Sequence, residues 1–271
     1  MSDSSRYSSV GRLLREWRAA RRMSQLDMAM ACGMSARHIG FVEIGKSMPS
    51  REAVARFADG LDLSLRERNA LLRAAGFAPS YDEEDLSAPG LEHMRQAVDL
   101  ILKHQNPFPA FVLNRNFDIL GANDGAARVG QFISGGKPPK HGNLLHQVFD
   151  PDDLRPIVDN WAEVAAWFLR RLQDEIVAAP GNGAAQALLE EVLAYPDIPK
   201  AWRNRPIGAD IKPVLTIDFR SPAGNLRFFE TITTFAAPLS VTLDELRIDC
   251  AFPADEATAE VCRQLESGEL P

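Results

Sequence analysis

Over the first 76 residues apolar side chains return every three or four positions, the period of helices packed by one face. In 10–22, Val10, Leu13, Leu14 and Trp17 fall on one side, and Arg12, Arg15, Arg18, Arg21 and Arg22 on the other. A second helix follows Ser24, with Met28, Ala29 and Cys32 inward. Gly33 marks a sharp turn, since glycine takes a positive φ at little cost. A third helix runs from about Ser35 to Ile44, with Ile39 and Val42 inward and Arg37 and His38 outward near its start, and stops at Gly45. Ser24 and Ser35 stand where a hydroxyl oxygen accepts from the orphan amides of a first turn. Pro49-Ser50 opens a fourth helix carrying Val54, Phe57 and Leu61, and a fifth places Leu65, Leu71 and Leu72 together before Gly76. The expectation is a compact all-α bundle of five helices over 1–80. Leu26 and Met30, four apart on the second helix, widen its apolar face: either the small core is broader there, or this surface docks on another domain or subunit.

The period breaks after Gly76. Residues 77–90 hold prolines, a glycine, serines and the acidic run Asp82–Asp85, so 81–95 reads as a solvated linker with Phe77 and Tyr81 anchored on a neighbour. The remainder, 96–271, forms a second domain. Its first helix carries Leu91, Met94, Val98, Ile101 and Leu102, and Pro107 and Pro109 stop it. Two β-rich runs flank Asn114-Arg115-Asn116, a hairpin turn, and Asn123 caps the helix that follows. A Gly/Pro-rich loop covers 134–143. A long helix begins near Pro151–Leu154 and carries Trp161, Val164, Trp167, Phe168 and Leu172; another ends at Pro196. Alternation then replaces the helical period, with Leu215, Ile217 and Phe219 in one strand and Leu246, Ile248, Cys250 and Phe252 in another. A long run through Phe228 and Phe235 lies between them. About five antiparallel strands with helices on one side, an α+β sheet domain, are expected.

Charge changes this picture more than composition does. The chain is 45% hydrophobic and 25% charged, as soluble domains are, yet its net charge of −7 is unevenly spread. Residues 1–80 hold 13 Lys+Arg against 8 Asp+Glu, whereas 81–271 hold 17 against 29. A basic head on an acidic body fits a protein whose head alone meets phosphate. Two short helices about Gly33 are a device for laying a helix end in the DNA major groove. No apolar run suggests a membrane span, and the N-terminus lacks a secretory core, so a cytoplasmic location is expected. Cys32, Cys250 and Cys262 are too scattered for a disulfide framework or a zinc site.

The ordered set Ser24-Gln25, Ala29, Gly33-Met34-Ser35, Ile39, Glu43, Gly45-Lys46 and Pro49-Ser50 resembles the lambda-repressor-like helix-turn-helix family. The resemblance implies that Gln25 and the Lys46–Ser47 turn touch the DNA backbone, and that Ala36, Arg37, Gly40 and Phe41 face base edges. With Ser35 and His38 these make up the candidate DNA surface. Arg37 is the natural guanine reader, because its fork matches O6 and N7. Phe41 meets a thymine methyl or is a buried aromatic, and Glu43 orders the turn after the third helix.

Ala75-Gly76-Phe77-Ala78-Pro79, Asn114-Arg115 with Asn123, Leu154-Arg155-Pro156 with Asn160-Trp161, and Tyr195-Pro196 near Trp202-Arg203 extend the pattern along the chain. Together with Thr231 to Phe235 and Asp244-Glu245-Leu246-Arg247 they resemble the MmyB-like transcription regulators. That family implies a PAS-like ligand-binding body, a homodimer on operator DNA, and a fatty-acid-like ligand, with no cofactor. Apolar candidates for such a ligand are Phe111, Trp161, Trp167, Phe168, Phe219, Phe228 and Phe235, each of which also reads as plain core. For an acyl carboxylate, Arg115, Asn123 and Arg205 are the candidate partners, Asn123 equally being only a cap. Two rival functions stay in view. An enzyme is disfavoured, since His93, His104, His141 and His146 form no metal or catalytic motif. A ligand-independent DNA-binding scaffold, whose body dimerises or recruits a partner, fits the same pattern.

Overall fold

The computed structural model of the chain describes residues 3–84, 86, 88–179, 183–203, 214–236, 238 and 240–270, with the side chains of 3–8 left out. The chain divides into two compact units. One holds 1–85 with 176–182 and 237–244; the other holds 86–175, 183–236 and 245–271.

The first unit contains the five expected helices: α1 Asp3–Ala20, α2 Gln25–Cys32, α3 Ala36–Glu43, α4 Arg51–Gly60 and α5 Leu65–Ala74. Serines cap four of them, Ser24, Ser35, Ser50 and Ser64 each accepting from an amide in the first turn. Each such cap contributes about 1 kcal/mol. The core is the set the periodicity selects, with Leu14, Trp17, Met28, Ile39, Phe57, Leu61 and Leu71 fully buried. Leu65 departs from expectation: it opens α5 and is only half-buried, and Leu63, just ahead of the cap, fills the core.

The acidic segment after α5 is less solvated than its composition suggests. Asn69, fully buried, donates to Tyr81 O at 2.7 Å and accepts from the amides of Ser80 and Tyr81 at 3.0 and 3.1 Å. Glu83 accepts from Asn69, Arg73 and Arg66 at 3.0, 2.9 and 3.2 Å. Phe77 packs on the helical core, with Arg51 over its ring. Within this unit the 240–244 segment adds two ties. Val241 N donates to Asp82 O at 2.8 Å. The orphan amide of Leu65 at the start of α5 finds Asp244 Oδ2 at 3.2 Å.

The second unit is an α+β body. Its chain order is α6 Glu92–Gln105, β1 Ala110–Leu113, β2 Ile119–Ala122, α7 Asp124–Ile133, α8 Leu144–Phe149, α9 Trp161–Ala178, α10 Gly183–Leu193, β3 Thr216–Ser221, β4 Gly224–Thr233, α11 Val241–Glu245, β5 Arg247–Pro253 and α12 Glu256–Ser267. The first four residues of α11 and the last three of α9 belong to the first unit. The five strands form one antiparallel sheet in the order β2-β1-β5-β4-β3. The Asn114–Asn116 turn is held as expected, Asn114 Oδ1 accepting from the amides of Asn116 and Asp118 at 2.9 and 3.0 Å.

Helices cover both faces of the sheet, not one. Ala110, Val112, Ile248 and Cys250 pack with Val98, Ile101 and Leu102 of α6. The opposite face, with Leu226, Phe228 and Ala251, packs with Val129, Phe132 and Ile133 of α7 and with Cys262 and Leu265 of α12. Neighbouring residues of a strand point to opposite faces, so Cys250 and Ala251 separate the two layers. The helices of the body also differ from the sequence reading, which gave no helix at α8 or α11. α9 starts at Trp161, because Pro151 to Ile157 forms turns and a short 3-10 stretch around Pro156, whose ring nitrogen has no proton to donate. α12 was not anticipated, since its inward face is only Thr258, Ala259, Cys262 and Leu265. Among the described residues no helix is long and apolar enough to cross a membrane.

Candidate nucleic-acid interface and ligand interior

The turn between α2 and α3 is built as its residues dictate. Ser24 and Asp27 form a reciprocal capping box at 3.1 and 2.8 Å. Gly33 takes the left-handed conformation at φ 61°, and Ser35 then caps α3 by accepting from His38 N at 3.2 Å. Ile39, Val42 and Glu43 lock α3 inward, leaving Arg37 and Phe41 exposed and Ala36, His38 and Gly40 half-buried. Arg37 lies over Phe41, 5.2 Å from guanidinium carbon to ring centroid, so one turn of α3 presents a cation backed by an aromatic. His38 leans back instead of outward, stacking 6.4 Å from Phe57. After α3, Lys46 is exposed and Ser47 half-buried. Both of their amides donate to Phe41 O, at 2.8 and 3.3 Å, which fixes this turn against the end of the helix.

Glu43 is the hub behind this surface. It is buried, yet its carboxylate accepts from Arg18 Nε and Nη2 at 2.6 and 3.0 Å and from Gln25 Nε2 at 2.8 Å. Burial alone raises a carboxyl's pKa. Here the hydrogen bonds from Arg18 and Gln25, with the charges of Arg18 and Arg15, outweigh it and leave Glu43 below its ordinary value. Arg15 also donates to Glu43 O at 3.0 Å, and Arg18 to Met23 O at 2.8 Å. Arg21 reaches Glu67 at 3.5 Å and Arg12 pairs with Glu16 at 3.1 Å. Arg12, Arg15, Arg18 and Arg21 are therefore engaged within the head, which the charge pattern could not reveal. Gln25 likewise holds Glu43 while remaining exposed. Leu26 and Met30 do not widen the core: they are 61% and 68% exposed.

In the body, the ligand candidates sort into three places. Phe111, Phe219 and Phe228 belong to the sheet face that packs on α7 and α12, Phe219 and Phe228 meeting edge to face at 6.3 Å. Trp167 and Phe168 stand on α9, where Phe168 is buried edge-on to Phe117 at 6.3 Å. Trp161 opens α9 with Arg155 over its ring at 4.0 Å and its indole N–H on Val148 O at 2.8 Å. Phe235 packs instead on the α6 layer. Asn123 is fully occupied: Oδ1 accepts from Ala110 N and Ala126 N, and Nδ2 donates to Phe108 O and Leu102 O. Arg205 lies outside the described residues.

A buried ionic layer, which no pattern in the sequence signals, lies at the sheet face that carries Ala251 and Phe228. Arg115 is 8% exposed and meets Glu175 and Glu245 at 3.3 and 3.2 Å, and Arg247 pairs with Glu175 as well. Arg171 of α9 donates to Asp249 Oδ2 at 3.0 Å and is ringed by Trp167, Phe117 and Phe168 at 4.7, 5.2 and 5.8 Å. Glu230 shares this face: it lies opposite Ala251, and Asp249 opposite Ile232. Burial first, and the Asp249 charge second, push its carboxyl up to about 7 against the pull of Arg171. Strand alternation places Glu230 and Asp249 on the same face as Ala251 once the β4–β5 register is known.

His141 and His146, which the sequence left apart, come to a ring separation of 5.3 Å. His141 meets Asp150 at 2.8 Å, and His146 contacts Tyr195 Oη at 3.0 Å and Glu191 at 3.1 Å. These contacts, with Lys140 on Asp152 at 3.0 Å, fasten the end of the 134–143 loop. Among the described residues no cluster of three or more His, Cys, Asp or Glu is arranged to hold a metal ion.

Two family models match the chain. One, the MmyB-like transcription regulator ligand binding domain, covers residues 94–265; the other, a helix-turn-helix domain, covers residues 9–71. No curated protein is significantly similar to the chain.

Proposed function

We propose that this chain, which belongs to the MmyB-like transcription regulators, reads operator DNA with α3 and is switched by an apolar-tailed small molecule held in its body. The coarse architecture is that of a ligand-responsive transcription regulator with a helix-turn-helix head. On our reading the head is 1–80, the linker 81–95 and the PAS-like body 96–271. The protein works in the cytoplasm without catalysis, as a homodimer whose two heads span a pair of half-sites.

The observation that carries the DNA reading is the division of α3. Ile39, Val42 and Glu43 fasten it to the bundle, while Arg37 and Phe41 stand out from it. Arg37 serves a guanine, Phe41 a thymine methyl, and Ala36, Gly40 and Ser35 complete the groove-facing surface, His38 being turned back onto Phe57. Gln25, Lys46 and Ser47 meet phosphates and set register without reading sequence. Selection of bound duplexes from a random pool tests this: an enriched palindromic motif is expected, and no enrichment over total DNA refutes it.

The ligand acts by population shift, favouring one arrangement of heads over another. The resemblance brings a fatty acid as the ligand class. Denaturing extraction followed by mass spectrometry tests for a bound amphiphile. An empty interior, with no thermal shift by any amphiphile, leaves a ligand-independent scaffold in which the body dimerises or recruits a partner.

A further inference from the structure

Arg155 is held in place by groups that leave its charge uncompensated. It is half-buried, and its guanidinium carbon lies 4.0 Å from the centre of the Trp161 ring. Nη1 donates to Pro196 O at 2.7 Å. Among the described residues Nε and Nη2 make no hydrogen bond, and no carboxylate pairs with the group. The side chains that the sequence offered for an acyl head are spent or outside the described residues. Both terminal nitrogens of Arg115 are on Glu175 and Glu245, and Asn123 makes four hydrogen bonds. A guanidinium fork meets a carboxylate through two parallel charge-assisted hydrogen bonds, about twice as strong as neutral ones. Trp161 is itself fixed by its indole N–H on Val148 O, and a planar cation stacked on an aromatic face loses little freedom when it binds.

Arg155 lines a cleft of 260 Å³ with Pro151, Pro156, Trp161, Asp197 and Arg220. The two prolines and the indole give it apolar walls. Trp202, with its ring centre 5.8 Å from that of Trp161, and Phe149, edge-on at 6.1 Å, support the indole. Arg220 brings a second guanidinium, offset by Asp159 at 2.7 Å. Asp197, the one acidic side chain of the lining, is exposed, where water weakens its repulsion of an anion. Pockets that enclose a whole drug-sized guest run to about 300–1,000 Å³. A cleft below that range takes a head and the first carbons of a chain and leaves the remainder outside it. The match of this body to a ligand-binding domain is an independent reason to expect a guest.

We infer that the cleft at Arg155 and Trp161 takes the carboxylate head of the body's ligand. Nε and Nη2 of Arg155 donate to the two carboxylate oxygens, and the first methylenes lie on the indole and the prolines. This rests on the ligand-switched reading above and places the head, which that reading leaves unplaced. No covalent step is involved.

Calorimetric titration of the full chain with decanoate and n-decanol, each kept below the concentration at which it aggregates, tests the inference. Decanoate is expected to bind about tenfold or more tightly than decanol. Arg155→Gln is expected to remove that preference by weakening decanoate alone, whereas Lys137→Gln, at an exposed position, changes net charge equally and leaves it intact. On the wild-type chain, decanoate but not decanol is expected to shield Arg155 from phenylglyoxal, as read by peptide mass spectrometry, so a variant that fails to fold does not remove the test. A preference that survives Arg155→Gln, or that Lys137→Gln also abolishes, overturns the site while leaving a ligand-switched body standing. An Arg155 that stays reactive in a chain saturated with decanoate does the same. Absent binding of decanoate, or binding no tighter than that of decanol, overturns the carboxylate head, and if no amphiphile is extracted from the purified protein the ligand-switched reading falls with it.

Discussion

The guanidinium of Arg18 lies 2.6 and 3.0 Å from the two carboxylate oxygens of Glu43, joining α1 to the last residue of α3. Glu43 is buried beneath the surface assigned to DNA, so the position of that surface depends on a pair that does not itself meet DNA. Removing one partner of a buried pair leaves the other charge uncompensated. Glu43→Leu is therefore expected to destabilise the head by about 3 kcal/mol. Hydrogen-exchange protection of amides in α2 and α3 measures this, and an unchanged pattern contradicts it.

The same carboxylate sets an acid limit. Glu43 has its pKa lowered on folding, because the donors around it outweigh burial. A group depressed in the folded state stabilises fully above its unfolded value, near pH 4.3, and loses that contribution as pH falls through the folded value. The head is thus expected to lose stability as pH drops below about 4, and Glu43→Gln to show a flatter acid slope. Urea midpoints of the head amides at a series of pH values check both.

Two glycines separate the units by mutation. A Cβ on Gly11 stands 2.4 Å from Glu43 O and 2.8 Å from Val42 O, backbone atoms that cannot rotate away. On Gly125 it stands 2.5 Å from Pro107 O. Each alanine is expected to cost about 1–3 kcal/mol or more, as overpacking does. Gly11→Ala is expected to weaken protection in α1 to α5, and Gly125→Ala in β1 and α7. Unchanged protection of these segments in either variant contradicts the contacts assigned to that glycine.

Arg37 and Gln25 are expected to fail differently. Arg37→Ala is expected to cost about 1–3 kcal/mol and relax preference at one base pair. Gln25→Ala weakens all duplexes alike, through a lost phosphate contact and a lost donor to Glu43. Competition binding against single-base variants of the selected operator distinguishes the two. Retained preference in Arg37→Ala removes Arg37 from base reading.

Much of this protein is legible in its sequence because the relevant forces are local. Serine caps at 24 and 35, the positive φ at Gly33 and the inward stripe through Ile39 and Val42 each depend on residues within one or two helical turns. Strand alternation in 215–220 is equally local, and Ile217 is the buried residue of β3, whereas in β5 Asp249 and Ala251 are buried as well as Ile248 and Cys250, because helices cover both faces of the sheet. Where the outcome depended on partners far along the chain, the residues alone gave the wrong surroundings or none. For Leu26 and Met30 they left open a broader core or a docking surface, and both side chains are exposed. The arginines of α1 fell on the polar face of that helix, with no sign in the sequence that Arg15 and Arg18 end on Glu43, more than 20 residues away.

Sequence by itself determined the kinds of element, their order, the five-helix head and the α+β body, since periodicity and capping follow from neighbouring side chains. Tertiary structure decided which charges are interior. Glu230, Asp249, Arg115 and Arg171 are ordinary surface residues by type, and only the pairing of β4 with β5 and the packing of α9 bring them inward. The physical reason is that a charge's environment is set by what the fold lays against it. No pattern of nearby residues encodes that.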